Sequence, residues 1–270
     1  MADIDTSMPK CRGIAIEDLS IAQLQKHLSD GTFSSRDLTE CYLERIRRVN
    51  PVLKAIIEVN PDALSIADKY DAERKRGKVR GPLHGIPFVV KDNICTNDKM
   101  QTTAGSRVLV GTKVADDAHV IKKLRRGGAV LLGHSNLSEW ACMRSSYYSE
   151  GYSSRGGQCR NPHNLAEHPG GSSCGSAVAV SVSMCAFAIG TETDGSITYP
   201  ADRSGVVGLK PSLGVTLCKG VIPESSSLDV IGTFGKTVED AAAALTAIAG
   251  NDENSTVGKY TYAGLNQEYH

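Results

Sequence analysis

The sequence lacks a net charge. Its 270 residues carry 30 basic and 30 acidic side chains, which removes the electrostatic case for nucleic acid or an anionic membrane and leaves a small molecule or another protein as the expected partner. Paired cysteine spacing is also missing: Cys11, Cys41, Cys95, Cys142, Cys159, Cys174, Cys185 and Cys218 are scattered with no CxxC. With no basic-then-apolar leader in "MADIDTSMPK", a reducing, cytoplasmic setting is expected. The longest apolar run, Ala177 to Ile189, has thirteen residues and is too short to span a bilayer. Metal-ligand spacing and nucleotide motifs are absent, so neither a metal nor a cofactor is expected. Repeats, low-complexity segments and Pro/Gly/Ser-rich linkers are absent too, so residues 1–270 are read as one domain. What remains is 40% hydrophobic and 22% charged, enough for a sizeable core.

The first third reads as helices. "LSIAQLQKHLSDG" offers Ser20 as N-cap, Gln23 as the partner of a capping box, Leu19 and Leu24 as a staple and Gly31 as a stop. "SSRDLTECYLERIRRVNP" places Leu38, Cys41, Tyr42 and Ile46 on one helical face and is expected to end before Pro51. A third helix, charged on most faces, runs from Pro61 to about Gly77. Beyond it the short apolar runs "GIPFVV" and "AVLLG" alternate with a helical "DDAHVIKKLRRGG", the rhythm of an α/β sheet.

The densest cluster of small polar residues is "GGSSCGSAVAVSVSMCAFAIGTETDGSITYPA", residues 170–201. A buried helix with close packing accounts for Ala177 to Ala188. It leaves Gly170 to Ser173 unexplained, where glycines allow unusual backbone angles and serines present hydroxyls at a helix start. A phosphate-cradling loop would need a Gly-Lys-Ser/Thr ending, which is missing. A Ser-His-Asp hydrolase would need a G-x-S-x-G elbow, also missing, and His27, His84, His119, His134, His163, His168 and His270 stand in no arrangement that favours one as base. A lysine after an apolar strand, such as Lys91, is by itself a solvated strand end.

Taken together, "GGSSCGSAVAVSV" followed by "GTETDGSITYPA", with two serines 24 positions apart (196 − 172), resembles the amidase signature family. The likeness extends to "GPLHGIPFVVKDNI", "GAVLLGHSNLSEWA", "RGGQCRNPHN" and "GVIPESSSLDVIGTFGKTVEDAA". It covers residues 16 to 250, with N-terminal helices over about 16–77 and a signature core over about 81–250. The resemblance implies an α/β fold, a mixed central sheet covered by helices. It also implies amide hydrolysis through an acyl-enzyme, with Ser196 as nucleophile, Ser172 as a bridging serine after a cis peptide bond from Gly171, and Lys91 as terminal base. In this scheme Ser173 is a structural hydroxyl, an N-cap or a hydrogen-bond partner within the triad, and the backbone N–H groups of Thr193, Asp194 and Gly195 form an oxyanion hole. The chemistry demands such a set: a serine hydroxyl attacks only when a base takes its proton, and a lysine serves only as the neutral amine, which burial favours.

Some positions depart from the family pattern. Cys174 and Asp194 replace glycines, and Thr198 stands where arginine is common. At Cys174 a positive φ would bring strain. The "GTETDGS" form resembles a branch with peptide amidases and many fungal and bacterial amidases, which favours a free-standing small-amide or C-terminal peptide-amide hydrolase. The alternatives are a component of an amidotransferase that needs partner chains and a truncated, catalytically silent remnant. Family members are ordinarily longer, so the expectation is a chain lacking the C-terminal part of the fold, with its last strand at an open edge and a tendency to self-associate.

Overall fold

The computed structural model describes residues 6–250; the tail where the resemblance was expected to run out, residues 251–270, lies outside the described residues. Helix α1, Ile21–Ser29, starts as expected: the Ser20 side chain accepts from the Gln23 N–H and the Gln23 side chain accepts from the Ser20 N–H. Helix α2, Ser35–Leu53, has its own capping box between Ser34 and Asp37. It does not stop before Pro51 as expected but runs through it. Proline removes one N–H without forbidding helical φ, and buried Val49 and Leu53 anchor the final turn. The Asn50 side chain then ties the following segment by bonding both the N–H and the carbonyl of Ile56.

Strand β1, Ile56–Val59, helix α3, Ala63–Lys75, strand β2, Pro87–Lys91, helix α4, His119–Arg126, and strand β3, Val130–Ser135, follow in order. A two-stranded hairpin of β4, Tyr152–Ser153, and β5, Gly157–Gln158, precedes helix α5, Cys174–Ser181. The apolar run that was expected to be one buried helix through Ala188 divides here. Helix α5 ends at Ser181, and Phe187–Glu192 becomes strand β6. Periodicity cannot separate buried helix from buried strand in so short a run; the turn is marked only by Ser183, whose φ is 57°. Helix α6, Thr198–Ser204, strands β7, Val207–Leu209, and β8, Val230–Gly235, and helix α7, Val238–Ile248, complete the order.

Six strands form a mixed sheet in the order β1-β3-β2-β6-β8-β7, as the resemblance implied. β2 runs parallel to β3 and to β6, while the β1–β3, β6–β8 and β7–β8 pairs are antiparallel. Because β2, β3 and β6 are parallel, Lys91, Ser135 and Glu192 end at one edge of the sheet, the edge where open α/β sheets place their sites. The last described strand, β8, is not at an open edge as expected. It is flanked by β6 and β7, and the edge falls to the three-residue β7, a short edge that limits unwanted pairing. Helix α5 packs on β2, β3, β6 and β8, and α7 packs on β7, β8 and α4.

Strands β2, β3 and β6 are buried along their whole length, as near-continuous apolar runs in parallel sheets require. Phe88 and Phe187 stack across β2 and β6 with ring centroids 5.2 Å apart and planes 9° from parallel, and both are fully buried. Phe187→Ala is therefore expected to lower unfolding free energy by about 3–5 kcal/mol, read from urea unfolding of the two chains side by side.

Candidate active site

The site is assembled from two parallel strand ends and one helix start. Val90 of β2 pairs with Ile189 of β6, so the next residues, Lys91 and Gly190, leave the pairing side by side. The Lys91 side chain is fully buried. Its Nζ donates to Ser172 Oγ at 2.7 Å, to Thr191 Oγ1 at 2.8 Å and to the Thr191 carbonyl at 3.2 Å. Ser172 Oγ donates to Ser196 Oγ at 2.9 Å. Burial brings the Lys91 amine down to about 8, since desolvation disfavours the ammonium. The isolated reading of Lys91 as a solvated strand end is thereby overturned: no water reaches it.

Several features hold the two serines in place. The Gly171–Ser172 bond is cis. A Cβ on Gly171 would meet the Glu150 carboxylate and the Ser138 hydroxyl, so any larger residue there would have to displace both side chains. The Ser172 carbonyl accepts from the Ser138 N–H at 3.1 Å, and the Ser173 N–H donates to the Ser196 carbonyl at 3.1 Å. Ser173 occupies the N-cap position of α5 without making a cap bond. Its hydroxyl instead donates to the Thr191 carbonyl at 3.0 Å and accepts from the Thr191 N–H, stitching the helix start to β6. Cys174 opens α5 outside the left-handed region, so the strain considered there does not arise, and its side chain is fully buried.

Ser196 follows a turn whose Gly195 has φ 97°, a conformation that favours glycine. Among the described residues, the backbone N–H groups of Asp194, Gly195 and Ser196 have no protein acceptor, while the Asp194 side chain is exposed. Thr193 turns its hydroxyl to Asp229 Oδ1 at 2.6 Å and Glu224 Oε2 at 3.0 Å.

Three supports escaped the sequence reading. Glu192, nearly fully buried, accepts through Oε2 from the N–H groups of Ile197 at 2.7 Å and Thr198 at 2.9 Å, and from the Thr198 hydroxyl at 3.2 Å. It clamps the turn that carries Ser196. Asp92, beside Lys91, accepts from Thr103 Oγ1 at 2.5 Å and the Gly105 N–H at 2.9 Å through Oδ2, and its Oδ1 lies 2.6 Å from His134 Nδ1. The other ring nitrogen of His134 is 2.8 Å from Thr96 Oγ1, so this histidine braces β2 and β3 and stands apart from Ser196. Asn93 donates to Thr191 Oγ1 at 3.0 Å. The only signal for these residues in the chain is adjacency: Asp92 and Asn93 follow Lys91, and Glu192 precedes the Ser196 turn.

The segment after β3 borders the same region. A cavity of about 230 Å³ is lined by Cys142, Tyr147, Tyr148 and Tyr152, and Glu150 and Ser138 of this segment reach Gly171 as described.

A family model described as Amidase matches residues 37–267. A Schizosaccharomyces pombe protein with an amidase designation is 57% identical over 247 residues, 92% of this chain and 42% of that relative. A glutamyl-tRNA(Gln) amidotransferase component from Symbiobacterium thermophilum is 45% identical over 236 residues, 87% of this chain and 47% of the relative. The solved peptide amidase from Stenotrophomonas maltophilia superposes with a TM-score of 0.86 at 50% identity, over 88% of this chain and 49% of that one. The chain thus spans about half the length of the proteins it matches.

Removing the Glu192 clamp leaves two backbone N–H groups without their acceptor. Glu192→Ala is expected to cost about 1–3 kcal/mol for each buried donor that stays unpaired, and Glu192→Gln, which keeps one acceptor oxygen, to cost less. Urea unfolding of both variants against wild type checks the order.

Proposed function

This chain belongs to the amidase family, and from that premise we propose that it hydrolyses a carboxylic amide through an acyl-enzyme, with Ser196 as nucleophile, Ser172 as proton relay and Lys91 as base. The observation that carries the reading is the unbroken line of hydrogen bonds from Ser196 through Ser172 to a buried, pKa-lowered amine. Thr191 supports the direction of transfer. Its carbonyl can only accept, and together with its hydroxyl it engages two of the Lys91 N–H groups, so in the neutral amine the lone pair is turned toward Ser172. Ser196 then passes its proton to Ser172 as it attacks, and Ser172 passes its own to Lys91. The flow reverses to protonate the leaving nitrogen, and water releases the acid.

The N–H groups of Asp194 and Gly195, free in the turn, together with that of Thr193, are the proposed donors to the oxyanion, where a single donor is typically worth about 3–4 kcal/mol. The cavity beside Cys142 and the tyrosines is the proposed seat of the acyl portion. A small amide or a C-terminal peptide amide suits a site of this size, and no cofactor enters the scheme. Among the described residues no helix is long and apolar enough to cross a membrane. An amidotransferase-type role rests only on relatives such as the Symbiobacterium protein; the hydroxyl–amine line serves the hydrolytic reading without a second chain.

Two experiments test the proposal. Ser196→Ala removes one oxygen and should abolish both amide hydrolysis and labelling by a fluorophosphonate while leaving the unfolding curve in place; stoichiometric labelling of the variant at another serine would remove Ser196 from the role. The second uses pH. In the folded chain Lys91 loses its proton at about 8 against an ordinary 10.5, so labelling of Ser196 should climb about tenfold per pH unit below 8 and level off above it. Lys91→Met should flatten that profile and slow labelling by orders of magnitude. The same shift affects stability: the folded state binds fewer protons than the unfolded state between pH 8 and 10.5, so the cost of burying the ammonium, about 3 kcal/mol, is present in full below pH 8 and fades as pH rises. Lys91→Met should accordingly be the more stable chain at pH 7 and lose that advantage toward pH 10.5.

A further inference from the structure

A second polar cavity lies behind the Ser196 turn. It has room for about one water-sized species and is lined by Asn93, Thr191 and Thr193, by the carboxylates Glu224 and Asp229, and by Cys218, Val221, Ile222 and Val230 at its rim. Asn93 is 4% exposed. Its amide nitrogen is committed to Thr191 Oγ1, but its Oδ1 has no partner among the described residues, and a buried acceptor left bare is costly. The two carboxylates are part-exposed and have few protein donors. The single Thr193 hydroxyl proton is shared by Asp229 Oδ1 and Glu224 Oε2; the Glu224 N–H serves Asp229 Oδ2 at 2.8 Å. Glu224 Oε1 receives nothing among the described residues.

The cavity therefore presents an excess of acceptors and of negative charge to a space the size of one small molecule. An anion is repelled there, and a water molecule would satisfy acceptors without offsetting the charge. Burial raises the Glu224 carboxyl; the Thr193 hydroxyl and the Lys91 charge oppose that rise and Asp229 adds to it, so two carboxylates share the single nearby amine of Lys91 as a counter-charge.

We propose that this cavity binds an ammonium ion, with Asn93 Oδ1, Glu224 and Asp229 as its acceptors. Ammonium is close to water in size, carries the compensating charge and offers four N–H donors to oxygens that have too few. Its link to turnover rests on the amide-hydrolysis reading: a primary amide would release ammonia within one hydrogen-bonded residue of the cavity, since Thr191 contacts both Lys91 and Asn93.

The test does not depend on turnover. Thermal unfolding of the wild-type chain, followed in ammonium chloride, potassium chloride and tetramethylammonium chloride at equal ionic strength, should show a saturable rise in Tm of about 2–4 °C in ammonium alone. Asn93→Ala and Glu224→Gln should each remove the rise, and Ser196→Ala should keep it. Because Glu224→Gln could fail to fold, Asn93→Ala alone also decides the matter. An equal rise in potassium, an ion of similar size without N–H donors, would overturn the assignment to ammonium; no salt-specific rise, or a rise that survives both variants, would overturn the site. A chain that binds ammonium yet hydrolyses no amide would refute the proposed function and leave the cavity's ligand standing.

Discussion

A lysine amine sealed away from water at the end of a central strand must find acceptors for its N–H groups or give up its charge, and Lys91 does some of each. Three oxygens from two residues, Ser172 and Thr191, surround its Nζ. That demand dictates much of what lies around it. Thr191 has to come from β6 in parallel register beside β2, and Ser172 has to reach in from the segment that opens α5. The depressed pKa follows from the same burial, so the feature that costs stability is also the one that makes the amine a usable base near neutral pH.

The neighbouring supports work by the same physics, with buried polar groups matched almost one to one. Glu192 takes the first N–H groups of α6, where a carboxylate suits the free donors and the positive end of the helix dipole. Asp92 gathers the 103–105 loop and His134 around the strand end that carries Lys91. Glu192 acts mainly on backbone N–H groups and Asp92 on a backbone N–H together with the Thr103 and His134 side chains; each steadies the segment next to a hydroxyl or amine of the site. The result is a site whose reactive groups sit on strand ends and helix starts, the parts of an α/β fold with the least freedom to shift.

Core and site are separated along the same chain. The face of α5 that packs on β2, β3, β6 and β8 is made of small and branched apolar residues, and its opening turn is Cys174, Gly175 and Ser176. The stacked phenylalanines of β2 and β6 lie a few residues before Lys91 and Thr191. A packed, dry interior is thus brought up to the edge of the polar cluster, which is what keeps the Lys91 amine desolvated.

Much of this was legible from residue order alone. The α1 capping box and the strands at "IPFVV" and "AVLLG" could be read because each depends on local pattern, while the meeting of Lys91, Ser172 and Ser196 was expected only through the family resemblance that their motifs carry. Helix α2 running through Pro51 and the split of the Ala177–Ile189 run into helix and strand could not, because local propensity is nearly balanced there and packing decides. The place of β8 inside the sheet depends on which strand returns to pair with it, a long-range choice invisible in spacing. The roles of Glu192, Asp92 and His134, and the bare Asn93 oxygen beside Glu224 and Asp229, were decided only by tertiary structure, since burial and the supply of hydrogen-bond partners are properties of the folded surroundings and not of any residue by itself.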